Sequence, residues 1–363
     1  MIDPQRHLPA AVARILEIQT EDGAIPWTEN GIFDPWNHVE SAMGLVVAGE
    51  HGAALRAYEY LRATQNEDGS WWGEYGNAAP IVGEERLGAP AGPKIRDTNF
   101  STYIAVGIWH YYLATEDLDM LRRFWPAVSR AITFAISLQS EEGEIRWAAR
   151  DPHTANDDAL IAGCSAIFLS LAAAIRIAQT LGAPTLPWRA ARARLGAALR
   201  DKPQRFDRSW GSKSDFAMEW YYPVLAGVYD AEASGRRLAG HWRKFVAEDE
   251  GCRCRASSEW VTTAESAELA IALCRIGQRD EARNLLNWQS RRWTRDGGFW
   301  MGTDIPTKVH WPIEKPSWTA GAMLLAADAL FALSPAAPLF ASLAALADDP
   351  AEATARPGVR LAV

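Results

Sequence analysis

The stretch that decides the fold is Gln65-Asn-Glu-Asp-Gly-Ser-Trp71, because closely similar stretches recur along the chain. Two further copies are Gln19-Thr-Glu-Asp-Gly23, followed by Trp27, and Gln139-Ser-Glu-Glu-Gly143, followed by Trp147. In each copy an amphipathic helix ends at Gln, the Gly takes the left-handed conformation that closes a helix C-terminus, and the Trp folds back onto the next helix. A turn repeated in this way predicts stacked helical units.

Between these turns the sequence alternates between two kinds of predicted helix. Amphipathic helices with charged faces, typical of an outer layer, are predicted over residues 8–19, 51–65, 117–139, 187–201, 234–247 and 278–292. Apolar helices rich in small residues, typical of a buried layer, are predicted over residues 37–49, 98–114, 157–181, 216–231, 262–276 and 316–333. Period-two runs of β-branched residues are nearly absent. Six outer and six inner helices in strict alternation predict an all-α fold, an (α/α)6 toroid over residues 1–340, followed by a loose C-terminal tail over 341–363.

Composition limits the possible functions. The 363 residues are 48% hydrophobic and 23% charged, as in an ordinary globular chain. Because 37 basic against 45 acidic residues give a net charge of −8, and no segment concentrates Lys and Arg, we expect neither nucleic acid nor an anionic membrane as a partner. No apolar run reaches the roughly 18 residues of a membrane span and the first residues do not resemble a signal peptide, so we expect a cytoplasmic protein. Four cysteines without a CxxC pair fit reduced thiols, and we expect no metal ion and no cofactor.

The loops that lead into the inner helices hold the candidate functional residues, and we call them the lead-in loops. Inner helices of a toroid run in the same direction, so these six loops converge on one mouth. Each contains at least one carboxylate and four contain Trp, in a chain whose 17 tryptophans already indicate an aromatic-walled cleft. Acids among aromatic rings are what carbohydrate cleavage requires, because rings stack on sugar faces and two carboxyl groups lie on opposite sides of the scissile bond.

Asp34 and Glu265 are the candidate catalytic residues. Asp34 lies in an apolar setting next to Phe33 and Trp36, which raises the pKa of a carboxyl group; its alternative role is the N-cap of the helix near residue 37. Glu265 lies about one turn inside an otherwise apolar helix, where a buried acid requires a reason. Asp157 and Asp158 fit helix capping better. The candidate substrate-binding residues are Trp36, His38, Glu40, Asp97, Asn99, Trp220, Tyr221, Tyr222, Trp260 and Trp318.

Two resemblances rest on these motifs. The turn Gln65–Trp71 is similar to the repeat of terpene cyclases and prenyltransferase-like toroids, but the Asp-x-Asp-Asp motif of the cyclases is matched only by Ala155-Asn-Asp-Asp158, which lacks the first Asp. A second resemblance covers most of residues 10–335. The stretches Asp34-Pro-Trp-Asn-His-Val-Glu40, Trp220-Tyr-Tyr-Pro-Val-Leu225 and Trp260-Val-Thr-Thr-Ala-Glu265 resemble a bacterial family often labelled prenyltransferase-like, whose characterised actinobacterial branch hydrolyses methylmannose polysaccharide as an α-1,4-endomannosidase.

The second resemblance implies an inverting glycoside hydrolase that cleaves an α-linked, mannose-type and O-methylated saccharide, with its acid pair on Asp34 and Glu265. Residues 112–126 also resemble glucoamylase-type toroids, which share hydrolysis. The alternatives are a terpene-cyclase-like toroid that acts on or binds an isoprenoid, and a non-catalytic carbohydrate-binding scaffold. Acids at every lead-in loop favour sugar, because an isoprenoid cavity would be apolar with one acidic patch. An insertion over residues 84–94 is expected beside the cleft.

Overall fold

The computed structural model describes residues 1–29, 31–76, 95–149, 157–209 and 211–346. Three predicted features therefore lie outside the described residues: the lead-in segment 153–156, the insertion 84–94, and the tail beyond residue 346.

Two concentric layers of helices form the molecule. The inner layer consists of α2 (Pro35–Val47), α4 (Thr98–Thr102) continued by α5 (Ile104–Thr115), α7 (Ile161–Leu181), α9 (Ala217–Leu225), α11 (Thr263–Arg275) and α13 (Ser317–Phe331). The outer layer consists of α1 (Pro4–Ile18), α3 (His51–Thr64), α6 (Leu118–Ser137), α8 (Leu186–Asp201), α10 (Ala231–Phe245) and α12 (Arg279–Gln289). The inner helices pack side by side in a closed ring, because α13 at the end of the chain contacts α2 at its beginning. The predicted (α/α)6 toroid is confirmed.

The repeated turn docks three of the outer helices, α1, α3 and α6, each onto the next. The side-chain amide of Gln65 donates to the carbonyl oxygens of Gly69, within the turn, and of Ala127 on α6, at 2.9 Å each. Gly69 has a φ of +91°, and a Cβ atom there would lie 2.5 Å from a carbonyl oxygen of α6. The turns that begin at Gln19 and Gln139 make the same pair of bonds. The sequence repeat is thus a contact between neighbouring outer helices.

Short strands connect the lead-in loops at the mouth, and the sequence did not predict them. They are β1 (Ile32–Phe33), β2 (Tyr75–Gly76), β3 (Arg96–Asp97), β4 (Ala148–Ala149), β5 (Val246–Ala247), β6 (Gly251–Arg253), β7 (Trp260–Thr262), β8 (Trp293–Thr294), β9 (Gly298–Phe299) and β10 (Gly302–Asp304). All pairs are antiparallel, in three two-stranded ladders and one sheet of order β10-β7-β6-β5. Strands of two or three residues are too short to show a period of two.

Helix α7 alone among the described helices is long and apolar enough to cross a membrane, by length and composition. Its apolar window is 89% buried among the other helices, which is the position of a core helix.

The end opposite the mouth is covered by the last described segment. A short helix, α14 (Pro338–Ala341), packs on α11 and α13 with Leu339 and Phe340 buried. The carbonyl oxygen of Ser342 then accepts a hydrogen bond of 3.3 Å from the Arg275 guanidinium. The loose C-terminal tail over residues 341–363 stays a prediction.

Candidate active site

The first two lead-in loops bring two carboxyl groups together at helix N-termini. Asp34 caps α2 by accepting from the Asn37 amide at 2.9 Å, and Asp97 caps α4 by accepting from the Phe100 amide at 2.9 Å. The negative charge of Asp34 helps to raise the pKa of Asp97, so the two groups interact. A capping role is therefore real for both residues, but it does not account for their closeness.

Asp34 is more than a cap, because it is nearly inaccessible to solvent. Its carboxyl group, in a side chain 3% exposed, also accepts from the Trp27 indole at 2.9 Å and from the Asn37 side-chain amide at 2.6 Å. Burial raises the pKa of Asp34, although the hydrogen bonds from Asn37 and Trp27 oppose the shift. The predicted apolar setting and the alternative capping role thus coexist in one residue.

Asp97 lies near Asp34, and Asn99 follows Asp97 in α4. Burial, with a contribution from the Asp34 charge, raises the pKa of Asp97 to about 7 against the hydrogen bond from Phe100. The side-chain oxygen of Asn99 is buried without a hydrogen-bond partner in the described part of the chain. Buried polar atoms are normally paired, so this oxygen is available to a ligand.

A second pair of carboxyl groups, Glu40 on α2 and Glu268 on α11, is buried where the ring closes. The two carboxyl groups hydrogen-bond to each other, which requires a proton on one of them. The Trp36 indole donates to Glu40 at 3.0 Å, and the Tyr221 hydroxyl donates to Glu268. Burial raises the pKa of Glu40 to about 7 and that of Glu268 well above its ordinary value, so the pair holds a proton at neutral pH.

Glu265 continues this row of acids one helical turn before Glu268. It is half-buried and accepts a hydrogen bond from the Thr262 hydroxyl. Its charge contributes to the raised pKa of Glu268, just as the charge of Asp34 contributes to that of Glu40. Within the described residues no Lys or Arg forms an ion pair with any member of the row. We call the five acids the acidic cluster: Asp97, Asp34, Glu40, Glu268 and Glu265.

Aromatic side chains beside the acidic cluster form a wall around Trp36 and, separately, a pair at Trp27 and Trp318. The ring of Trp36 meets the ring of Tyr222 edge to face at 5.1 Å, and the hydroxyl of Tyr222 lies 3.3 Å from that of Tyr103. Trp318, half-buried at the start of α13, meets the ring of Trp27 edge to face at 6.4 Å. The indole nitrogen of Trp318 has no hydrogen-bond partner among the described residues.

Two predicted substrate-binding residues are instead packing residues. His38 is fully buried, with Nδ1 accepting from the Ile25 amide at 3.1 Å and Nε2 donating to the Ala57 carbonyl at 2.9 Å. Burial lowers the pKa of His38 to about 4, so the ring is neutral and both nitrogens are used. Trp220 stacks on Phe245 of α10 at 5.0 Å between the two helical layers. The corrections have one cause, since position in a lead-in loop does not determine which way a side chain points.

Two buried acids are absent from the predicted site residues. Glu268 belongs to the acidic cluster, and its signal in the sequence is an acid three residues after Glu265 in an apolar helix. Glu219 accepts a hydrogen bond from the Ala162 amide at 3.2 Å, and burial raises the pKa of Glu219 to about 7. Asp158, for which the sequence favours helix capping, does not cap α7, whose N-cap is Leu160; it accepts a hydrogen bond from the Ser209 amide of a loop instead.

Solved structures share the fold of this chain. The chain superposes on a glycosidase in complex with glucose with a TM-score of 0.64 and 15% identity, covering 92% of this chain and 100% of that one. It superposes on the GH63 mannosylglycerate hydrolase of Thermus thermophilus with a TM-score of 0.62 and 12% identity, covering 87% and 98%. These likenesses concern the toroid; together with the relative described next, the fold and its carboxyl-lined mouth define a glycoside hydrolase.

A sequence relative gives the family. The chain is 39% identical over 326 residues to the MMP endo-(1,4)-3-O-methyl-α-D-mannosidase of Mycolicibacterium hassiacum, covering 90% of this chain and 86% of the relative. The chain belongs to the family of that mannosidase. No family model matches the chain. This family favours a carbohydrate ligand over the isoprenoid that the sequence left open as an alternative.

Proposed function

We propose that the protein cleaves internal bonds of an α-linked, mannose-type polysaccharide by single displacement. Asp34 and Glu265 are its two catalytic carboxyl groups. One protonates the leaving glycosidic oxygen while the other, ionised, activates a water molecule on the opposite face of the sugar. The relative's action on an O-methylated α-1,4-mannan supports this substrate class. The proposal includes no metal ion and no cofactor.

The observation that carries the proposal is the acidic cluster itself. Five carboxyl groups without a cation among the described residues cannot all ionise near neutral pH, because burial and like charges raise the pKa of several of them. Such a cluster keeps some carboxyl groups protonated beside others that are ionised. Acid–base cleavage of a glycosidic bond requires one protonated and one ionised carboxyl group in the same site.

The two catalytic roles follow from the two environments. Asp34 is buried with a raised pKa and lies next to Asp97, which suits a general acid. Glu265 is half-buried and bonded to the Thr262 hydroxyl, which suits a base that meets water. Substrate hydroxyl groups would use the free oxygen of Asn99 and the free indole nitrogen of Trp318, and sugar faces would lie on the wall formed by Trp36.

The test is hydrolysis of an α-1,4-linked 3-O-methylmannan followed by proton NMR from the first minutes. Single displacement predicts that the β-anomer of the new reducing end forms first and the α-anomer grows in later by mutarotation. Mass spectrometry of the same samples should show oligomers from internal cleavage. First formation of the α-anomer would contradict single displacement, and an unchanged polymer would contradict the proposed function.

A further inference from the structure

An apolar patch is exposed at the rim of the mouth, in the connection between β10 and α13. Val309, Trp311 and Ile313 are 54%, 46% and 77% exposed, and the half-buried Trp260 adjoins them. We call these four residues the rim patch. Single exposed apolar residues are ordinary on a protein surface, but three within five positions, one of them Trp, indicate a surface that binds something.

The rim patch is held in a fixed geometry before any ligand arrives. The Trp260 indole donates to the Trp311 carbonyl at 2.6 Å, and the two rings meet edge to face at 5.3 Å. The Trp311 amide in turn donates to the Gly302 carbonyl on β10 at 3.1 Å. Because the Trp311 side chain is already ordered, binding of a ligand to it costs little conformational entropy.

Strand β7 connects the rim patch to the acidic cluster. Because side chains alternate along a strand, Trp260 and Thr262 lie on the same face of the sheet. Thr262 donates to Glu265, and burial together with the charge of Glu265 raises the pKa of Cys254, whose amide donates to the Trp260 carbonyl. The same sheet face thus runs from Glu265 to the rim patch, with Trp260 about 7 Å along the strand from Thr262.

The rim patch residues carry no charge, and two of the cations near them are paired with acids. Lys308 contacts Glu250 at 2.6 Å, and Arg253 contacts Glu259 at 3.2 Å. The patch is therefore an uncharged, apolar surface beside an acidic site. This chemistry fits a neutral ligand with apolar faces and disfavours an anionic one.

We propose that the rim patch is a distal subsite, which binds sugar units of the polysaccharide beyond the bond that is cleaved. The proposal rests on the proposed function and specifies it further. The exposed ring of Trp311 stacks on the apolar face of a sugar ring, and the aliphatic side chains of Val309 and Ile313 contact O-methyl groups. The subsite gives the enzyme a preference for long, methylated chains.

The test compares Trp311→Ala with the wild type on two substrates, the 3-O-methylmannan polymer and its trimer. We expect the ratio of kcat/KM for polymer to kcat/KM for trimer to fall about threefold to tenfold, the range of one aromatic contact. Leu186→Ala is the matched control, because Leu186 is 77% exposed at the start of α8, on an outer helix. This control should leave the ratio and both activities unchanged.

A ratio that stays at the wild-type value in Trp311→Ala would overturn the subsite. A second measurement does not depend on hydrolysis: polymer affinity is measured by calorimetry in Glu265→Gln with and without Trp311→Ala. A threefold to tenfold weaker affinity in the double variant supports the subsite. If the wild type binds the polymer in this way but does not cleave it, the proposed function is contradicted and the subsite is not. A wild-type dimer that Trp311→Ala dissociates would show that the patch is an interface between copies and overturn the proposal.

Discussion

At the two ends of the inner helices, side chains of opposite charge contact the backbone for the same physical reason. At the mouth, where the inner helices begin, Asp34 and Asp97 cap free amide groups. At the far end, where they finish, Arg275 donates to the Leu225 carbonyl at 2.8 Å and Arg279 donates to that of Leu330. Anions at helix N-termini and cations at helix C-termini both follow the helix dipole. Charge sign at a helix end is therefore no indication of function by itself.

The two ends differ in what surrounds the charges. Arg275 faces backbone carbonyl oxygens and is covered by the segment that follows α14; burial lowers the pKa of Arg275 to about 10, so it remains a cation at neutral pH. At the mouth, Glu40 and Glu268 face each other and share a proton. Acids held close together in a buried position oppose folding. A fold that nevertheless holds them together indicates a functional site.

The largest expected effect is on turnover at the mouth. Glu265→Gln preserves shape but cannot act as a base, so we expect hydrolysis to fall roughly 10²- to 10⁴-fold with little change in melting temperature. Glu281→Gln is the matched control, since Glu281 also lies in the first turn of a helix, α12, but in the outer layer and exposed. An equal loss of turnover in both variants would contradict a catalytic role of Glu265.

At the far end, the expected effect is on stability instead. Arg275→Met leaves the Leu225 carbonyl without its donor in a buried position, so we expect the free energy of unfolding to fall by about 2–4 kcal/mol. Turnover per folded molecule should remain at the wild-type rate. Denaturant titration and kinetics on the same preparation check this, and a rate that drops without loss of stability would reverse the distinction between the ends.

The smallest effect expected is a change in the pH dependence of stability. Because the pKa of Glu40 is raised to about 7 in the folded state, the folded protein binds this proton more tightly than the unfolded chain, and stability falls as pH rises from about 4.5 through 7. Glu40→Gln removes that decline. We expect the variant to gain on the order of 1–3 kcal/mol over the wild type between about pH 5 and pH 8.

Thermal melting of both proteins at the two pH values measures this difference. The exposed-acid variant Glu281→Gln should shift little between them. A Glu40→Gln variant that loses stability by the same amount at both pH values would mean that Glu40 is ionised in the folded protein throughout.

The toroid could be predicted from the sequence because its repeated contact is local. Gln65 and Gly69 lie four residues apart, and their spacing already specifies the turn that docks one outer helix on the next. Asp34 and Glu265 could be singled out because each lies at a predicted helix start in an apolar stretch. Both signals are confined to a few neighbouring residues.

The pairing inside the site could not be predicted, because it depends on ring closure. Glu40 and Glu268 are far apart in sequence and meet only where α2 and α11 approach across the inner ring. The roles of His38 and Trp220 could not be predicted either. The sequence placed both in lead-in loops but did not indicate which way their side chains point. The packing of neighbouring helices turned His38 toward Ala57 and Trp220 toward Phe245.

A matched pair of variants distinguishes an acid at the mouth that performs chemistry from one that only caps a helix. Asp34 caps α2 and Asp230 caps the outer helix α10 by the same bond, from the amide three residues on, at 2.9 and 2.8 Å. Asn is itself a good N-cap, so Asp34→Asn and Asp230→Asn should both melt close to the wild type.

Turnover per folded molecule on the 3-O-methylmannan polymer then separates the two variants. If Asp34 is catalytic, turnover of Asp34→Asn falls roughly 10²- to 10⁴-fold, while Asp230→Asn keeps the wild-type turnover. An Asp34→Asn variant that hydrolyses at the wild-type rate, whatever its melting temperature, would contradict the account and leave Asp34 as a helix cap.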